Sequence, residues 1–229
     1  MTVKYYYDMI QCSDEWMEAR NGLLTASEMR LIITPGRLAP ASNEKERAHM
    51  YELLAQRVCG YTEMSYVSED MDLGKMNEID AKQLYRKHYA PVKDCGFVTN
   101  DRWGFTLGYS PDGLVGDDGL IECKSRRHKF QMETILNDAI PDEYMIQVQT
   151  GLLITERLWC DFITYSAGLP MFTKRIMADG KIQQAIEAAA SIFDTKIKAA
   201  QGKYDFMLKQ PEVRLIQTER KDDIGEITI

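Results

Sequence analysis

Between Val92 and Lys124 the chain changes texture, and this stretch limits the possible folds more than any other. Short apolar segments at 92–99, 104–109 and 119–124 are separated by Asn100-Asp101-Arg102, Pro111-Asp112-Gly113 and Asp117-Asp118-Gly119. Runs this short, punctuated by residues that bend the backbone, predict a strand meander. Helical patterns surround it. Ser13 caps a short helix that ends at Asn21-Gly22, and Thr25 with Glu28 forms a capping box that opens a second helix, stopped by Pro35-Gly36. Residues 34–43 read as a loop, Glu44 to Cys59 as a helix closed by Gly60, and Asp70 to Tyr89 as a longer helix ended by Pro91. On that longer helix Ala81, Leu84, Tyr85 and His88 recur at helical spacing. Further helices are predicted at 129–137 and 142–155, strands at 158–165 and 171–177, and an alanine-rich helix from Lys181 to Gln201. The order gives an α/β fold, a central mixed β-sheet flanked by helices.

With 229 residues the chain has room for one sizeable domain, taken as 1–209, followed by an exposed tail over 210–229. No apolar run approaches the ~20 residues that span a bilayer, so no membrane association is expected. The N-terminus carries tyrosines and an aspartate where a signal peptide has an apolar core, so a cytoplasmic location is expected. The five cysteines include no CxxC pair, and reduced thiols are expected. A net charge of −7 speaks against a simple basic nucleic-acid binder. The basic residues are nevertheless concentrated, at Arg20, Arg30, Arg37, Lys45 and Arg47 and in the run Arg126-Arg127-His128-Lys129. Such clusters are more often a solvated face than a binding site.

An acidic residue two positions before a lysine occurs five times, so the tripeptide alone decides nothing. Context separates Glu122-Cys123-Lys124, which falls in the short apolar strand Leu120–Lys124. Residues two apart on a strand project from one face, so this carboxylate and ammonium share a space while Ile121 and Cys123 pack behind. Asp112, in the turn ten residues earlier, is placed to bring a second carboxylate beside Glu122. Two carboxylates and an ammonium at a strand edge suit a hard cation such as Mg²⁺ with a catalytic lysine. The alternative is a surface salt bridge on an amphipathic strand. Glu78, one turn before Ala81, lies either at the edge of the helix stripe or buried beneath it.

The pair SPDG (110–113) and IECK (121–124) resembles the PD-(D/E)XK nuclease signature. Further matches are Trp16, Arg20-Asn21-Gly22, Thr25-Ala26-Ser27-Glu28, Gly74-Lys75, Glu78 and Gln147-Val148-Gln149. Their order over residues 12 to about 165 is similar to that of the lambda-type exonucleases, the YqaJ-like viral recombinase group. The resemblance implies a restriction-endonuclease-like core and a Mg²⁺-dependent 5′-to-3′ exonuclease that acts on double-stranded DNA ends. Such an enzyme releases 5′-mononucleotides and leaves a 3′ single-stranded overhang for recombination by strand annealing. It implies that Asp112, Glu122 and the Cys123 carbonyl hold metal, that Glu78 serves a second metal position, and that Mn²⁺ substitutes for Mg²⁺. It further implies that Lys124 readies water, that Gln147 sits near the active centre, and that Arg20, Ser27 and Ser110 hold the terminal 5′-phosphate. Ser27 would stand in the first turn of its helix, where free N–H groups favour an anion. Implied partners are two further copies of the chain in a homotrimeric ring and a single-strand annealing protein, in a phage or prophage setting within the bacterial cytoplasm.

Arg37, Arg126, Arg127 and Lys129 are the candidate contacts to the DNA backbone. Other readings stay open. Another PD-(D/E)XK endonuclease or repair nuclease, or a non-catalytic DNA-binding protein, would share the fold. Arg20 also suits capping its own helix, Ser110 shaping the turn, and Gln147 a core amide. The three histidines, Trp103 and Tyr5–Tyr7 read as packing or surface residues.

Overall fold

The computed structural model describes residues 2–34, 36–62 and 69–219, and the side chains of all these except 69–73. In chain order the elements are β1 (Val3–Tyr6), α1 (Asp14–Arg20), β2 (Leu24–Thr25), α2 (Met29–Ile32), β3 (Ile33–Thr34), β4 (Ala39–Pro40), α3 (Glu44–Cys59) and α4 (Glu69–His88). The remainder are β5 (Phe97–Asn100), β6 (Leu107–Tyr109), β7 (Gly113–Val115), β8 (Gly119–Ser125), α5 (His128–Asn137), α6 (Asp142–Thr155), β9 (Trp159–Tyr165), β10 (Phe172–Met177) and α7 (Gly180–Met207). Among the described residues, no helix is long and apolar enough to cross a membrane.

Among the described residues the strands form two four-stranded sheets, ordered β1-β5-β6-β2 and β10-β9-β8-β7, and a small hairpin of β3 and β4. Each large sheet is mixed. β2 runs parallel to β6 and β8 parallel to β9, while the other pairs are antiparallel. A parallel pair needs a long crossover, and α5 with α6 supplies the one between β8 and β9. The predicted meander is therefore divided, with β5 and β6 in one sheet and β7 and β8 in the other. The break falls at Ser110-Pro111-Asp112, where proline cannot donate to a ladder.

α6 is buried along most of its length and touches β5 and β6 of one sheet, β9 of the other, and α7. Its Ile146, Val148, Leu152 and Ile154 join Leu107, Tyr109, Leu120, Phe162, Ile186 and Phe193 in the larger core. Each such residue contributes about 1.5–3 kcal/mol by leaving water. A smaller core on the other side of β8 joins Ala81 and Tyr85 of α4 to Val115, Ile121, Cys123 and Ile163. β8 is therefore covered on both faces, which accounts for its apolar sequence. Of the predicted α4 stripe, Ala81 and Tyr85 are buried, Leu84 is partly covered, and His88 is exposed beyond the sheet.

Three local expectations are corrected. The box at Thr25 and Glu28 does not open a long helix. Thr25 pairs in β2 with Gly108, residues 26–28 turn, and α2 is four residues long with no side-chain cap at its start. Tertiary pairing with β6 therefore overrides the local signal, and Ser27 precedes the helix instead of lying in its first turn. The supposed loop at 34–43 contains the turn and second strand of the β3–β4 hairpin. α7 continues to Met207, six residues beyond Gln201. By contrast, α1 with its Ser13 cap and α3 with left-handed Gly60 at its end match the sequence reading. Residues 211–219 are exposed except for Val213, and the tail beyond 219 lies outside the described residues.

Candidate active site

β8 projects Glu122 and Lys124 from one face, and Lys124 Nζ lies 2.7 Å from Glu122 Oε1. Glu122 is 1% exposed, so each of its oxygens needs partners. Gln147 of α6 donates to Oε1 at 2.6 Å, and the Tyr109 hydroxyl donates to Oε2 at 2.7 Å. Tyr109 is held by α6 from behind. A Cβ added at Gly151 would stand 2.8 Å from the ring carbon that bears the hydroxyl, so the close approach requires glycine there. Asp112 enters from the edge next to β7 and accepts the Cys123 backbone N–H at 2.6 Å. Glu78 approaches from α4, and its Lys82 neighbour lies 3.9 Å away. One residue earlier, buried Asn77 donates to Ser125 Oγ at 2.7 Å and fastens α4 to the end of β8.

The carboxylates strain one another electrostatically. Burial, then Glu122 and Glu78, push the Asp112 carboxyl well above the usual carboxylate range. Burial also raises Glu78, with Lys82 opposing and Glu122 adding to the rise. Lys124 is pulled down by burial, but Glu122 and Asp112 outweigh this and hold its ammonium above the ordinary lysine range. Burial keeps Tyr109 a phenol and Cys123 a thiol, so Tyr109 donates and Cys123 offers its backbone and no thiolate. Among the described residues, no group of three acidic, histidine or cysteine side chains is placed to hold a metal ion by itself. The set is instead two crowded carboxylates with a third nearby. All are hard oxygen donors, and they suit a divalent ion that retains waters and takes few protein ligands. The residues fit Mg²⁺.

A second cluster adjoins the first through the turn that carries Ser110 and Asp112. Arg20 Nη1 donates to Ser110 Oγ at 3.2 Å and Nη2 to Thr25 Oγ1 at 3.3 Å, with the guanidinium 4.3 Å over the Trp16 ring. Trp16 Nε1 donates to Ser110 Oγ at 2.9 Å. Thr25 and Ser27 hydroxyls lie 3.2 Å apart. The fork is desolvated, and burial lowers its pKa, yet an arginine stays charged. A planar cation among hydroxyls is suited to phosphate oxygens.

A family model described as the YqaJ-like viral recombinase domain matches residues 15–158. The chain belongs to the YqaJ-like viral recombinase family. Among solved structures, an alkaline exonuclease (LHK-Exo) from Laribacter hongkongensis is 30% identical at a TM-score of 0.70, covering 85% of this chain and 100% of that one. The same enzyme in complex with dAMP matches at 31% identity and a TM-score of 0.72, with the same coverage. A phage related exonuclease from Haemophilus somnus 129PT, 17% identical at a TM-score of 0.54, covers 78% of this chain and 96% of its own and shares the fold. Among curated proteins, none matches the chain. Membership in the family, with exonucleases as structural neighbours, supports a nuclease acting on DNA.

In this YqaJ-like chain the expected residues fall into two joined groups, Asp112, Glu122, Lys124, Gln147 and Glu78 in one and Arg20, Ser27 and Ser110 in the other. Gln147 is no plain core amide, whereas Gln149 is, bonding Met177 O and the Asp179 N–H. The expected backbone-contact residues differ in their settings. Arg126 and Arg127 line an open groove of about 660 Å³ that also includes Asn77 and Ser125. Arg126 is largely covered there, bonding Glu143 and the Tyr144 hydroxyl. Lys129 is exposed over Phe130, and Arg37 is exposed on the β3–β4 turn. Sequence reasoning missed Tyr109, whose role depends on α6 packing, and the indole N–H of Trp16. Of the histidines read as packing or surface residues, His49 is buried and faces two glutamates. All five cysteines are free.

Proposed function

We propose that the protein is a Mg²⁺-dependent 5′-to-3′ exonuclease that digests one strand from the ends of double-stranded DNA and releases 5′-mononucleotides. The observation that carries this is the shared turn. Ser110 belongs to the Arg20 cluster and Asp112 to the carboxylate cluster, and their Cα atoms are at most ~7 Å apart. A terminal 5′-phosphate held by Arg20, Ser110 and Ser27 therefore places the next phosphodiester at Asp112 and Glu122, one nucleotide along. The dAMP complex of the Laribacter hongkongensis enzyme is consistent with a mononucleotide product.

Asp112, Glu122, the Cys123 carbonyl and Glu78 are the residues that would hold the ions, two of them, with Mn²⁺ replacing Mg²⁺. Bound there, the metal supplies an acidified water and neutralises charge at the leaving oxygen. Tyr109 and Gln147 fix Glu122 so that its carboxylate does not swing away. Lys124 is an ammonium while Glu122 and Asp112 are uncompensated; with bound cations offsetting their charge it would release that proton to solvent, and the neutral amine would then take one from the attacking water. Arg20 binds the end and excludes internal sites. The overhang left behind suits a single-strand annealing partner, and a homotrimeric ring around the duplex would make digestion processive.

Linear duplex labelled separately at its 5′ and 3′ ends tests the reading. With Mg²⁺ the 5′ label should appear at once as mononucleotide while the 3′ label stays long, and a covalently closed circle should survive. EDTA should stop release, and added Mg²⁺ or Mn²⁺ should restore it. Early release of the 3′ label, or cleavage of the circle, rejects the proposal.

A further inference from the structure

Glu28 is an unexpected neighbour for a phosphate pocket, since its charge repels a phosphate. Its oxygen Oε2 accepts the Thr25 hydroxyl at 2.7 Å and the Thr25 backbone N–H at 3.3 Å. A hydroxyl has one proton and two acceptor positions. With its proton committed to Glu28, Thr25 Oγ1 can only accept, from Arg20 Nη2 at 3.3 Å and from Ser27 at 3.2 Å. The Arg20 fork is thereby fixed at both ends, by Ser110 through Nη1 and by Thr25 through Nη2. Behind Glu28 lies His49, 2% exposed and stacked on Phe193. Its Nδ1 meets Glu52 at 3.0 Å, while Nε2 has no hydrogen-bond partner and faces Glu28 Oε2 at 3.9 Å.

We propose that Glu28 is a positioning residue that sets the preference for 5′-phosphorylated ends by orienting Arg20 through Thr25. This rests on the phosphate-pocket reading above. Without Glu28 the Thr25 hydroxyl is free to rotate and point its proton toward Arg20, which removes the acceptor that holds one arm of the fork. The guanidinium keeps its charge but loses its fixed plane, and plane is what distinguishes bidentate phosphate binding from simple attraction.

The test is the ratio of initial rates on linear duplex with 5′-phosphate and 5′-hydroxyl ends, for the unmodified protein, Arg20→Ala, Glu28→Ala and Glu28→Gln. Thermal midpoints are measured alongside to confirm folding. Glu28→Ala should lower the ratio about tenfold, the loss of one charge-assisted hydrogen bond. Glu28→Gln should keep it, because the amide oxygen can accept both Thr25 hydrogens. A merely structural role would slow both substrates alike. If Arg20→Ala abolishes the preference and Glu28→Ala leaves it intact, the inference falls and the pocket stands. If Glu28→Gln loses as much as Glu28→Ala, the hydrogen-bond account falls. Equal rates on both ends in the unmodified protein overturn the pocket itself and this inference with it.

Discussion

Replacing Tyr109 by phenylalanine removes one oxygen and leaves the ring where α6 packs it. The lost bond spans 2.7 Å between a hydroxyl and a carboxylate, in residues 2% and 1% exposed, so water cannot replace it. A hydrogen bond to a charged group of this kind is worth about 1.5–3 kcal/mol, and here one Glu122 oxygen is left unpaired. Taking ~2 kcal/mol, the thermal midpoint should fall roughly 4–8 °C for a chain of this size. If the carboxylate must stay fixed for turnover, the same energy lowers the rate about thirtyfold. The assay is mononucleotide release from 5′-phosphorylated linear duplex at saturating Mg²⁺, with melting followed in parallel. Gly151→Ala provides the independent arm. It retains the hydroxyl and improves helix propensity by about 1 kcal/mol, yet its new methyl would stand 2.8 Å from the Tyr109 ring and displace it. Activity should fall in both variants. Full turnover in Tyr109→Phe, despite the lowered midpoint, would refute the view that this tyrosine positions Glu122.

Lys124→Ala should abolish turnover while DNA binding, followed by gel shift, stays within a few-fold of the unmodified protein; measurable turnover would contradict its role. Away from the site, the Tyr85 hydroxyl donates to Asp161 at 2.6 Å, and Arg175 grips the same carboxylate at 2.8 Å through both Nε and Nη2. Burial foremost, then Asp161, raises the Tyr85 phenol above the ordinary tyrosine range. Because the folded value lies above the unfolded one of about 10, this stabilisation is complete below that pH and is lost as pH rises toward the folded value. Tyr85→Phe should therefore melt lower at pH 8, by the few degrees that ~1–3 kcal/mol implies, and the gap should narrow by pH 11. A constant gap would show that ionisation of Tyr85 plays no part.

Local chemistry was enough for the elements whose signals are self-contained. Ser13 caps α1 through the Trp16 N–H, Gly60 ends α3 in the left-handed region, and the Glu122 and Lys124 side chains share a strand face because the period of a strand is two. The same period put Ile121 and Cys123 in the opposite core. Glu122 and Lys124 suggested chemistry only together with Asp112 in the turn before them, since an acidic residue two positions before a lysine occurs five times in the chain.

Other features depended on which distant segments meet. Thr25 and Glu28 carry the residues of a helix start, but pairing of β2 with β6 bends them into a turn, and the carboxylate serves Thr25 there. Nothing between Asn100 and Lys124 shows that the meander is shared by two sheets, because alternation records burial and not the partner that provides it. Tyr109 reads as the last residue of a short apolar segment, and Gly151 as one position of the helix predicted at 142–155. Only their packing, ring against glycine, aims a hydroxyl at Glu122. A sequence fixes what each residue can donate, accept or bury, whereas long-range contacts decide which of those capacities are used.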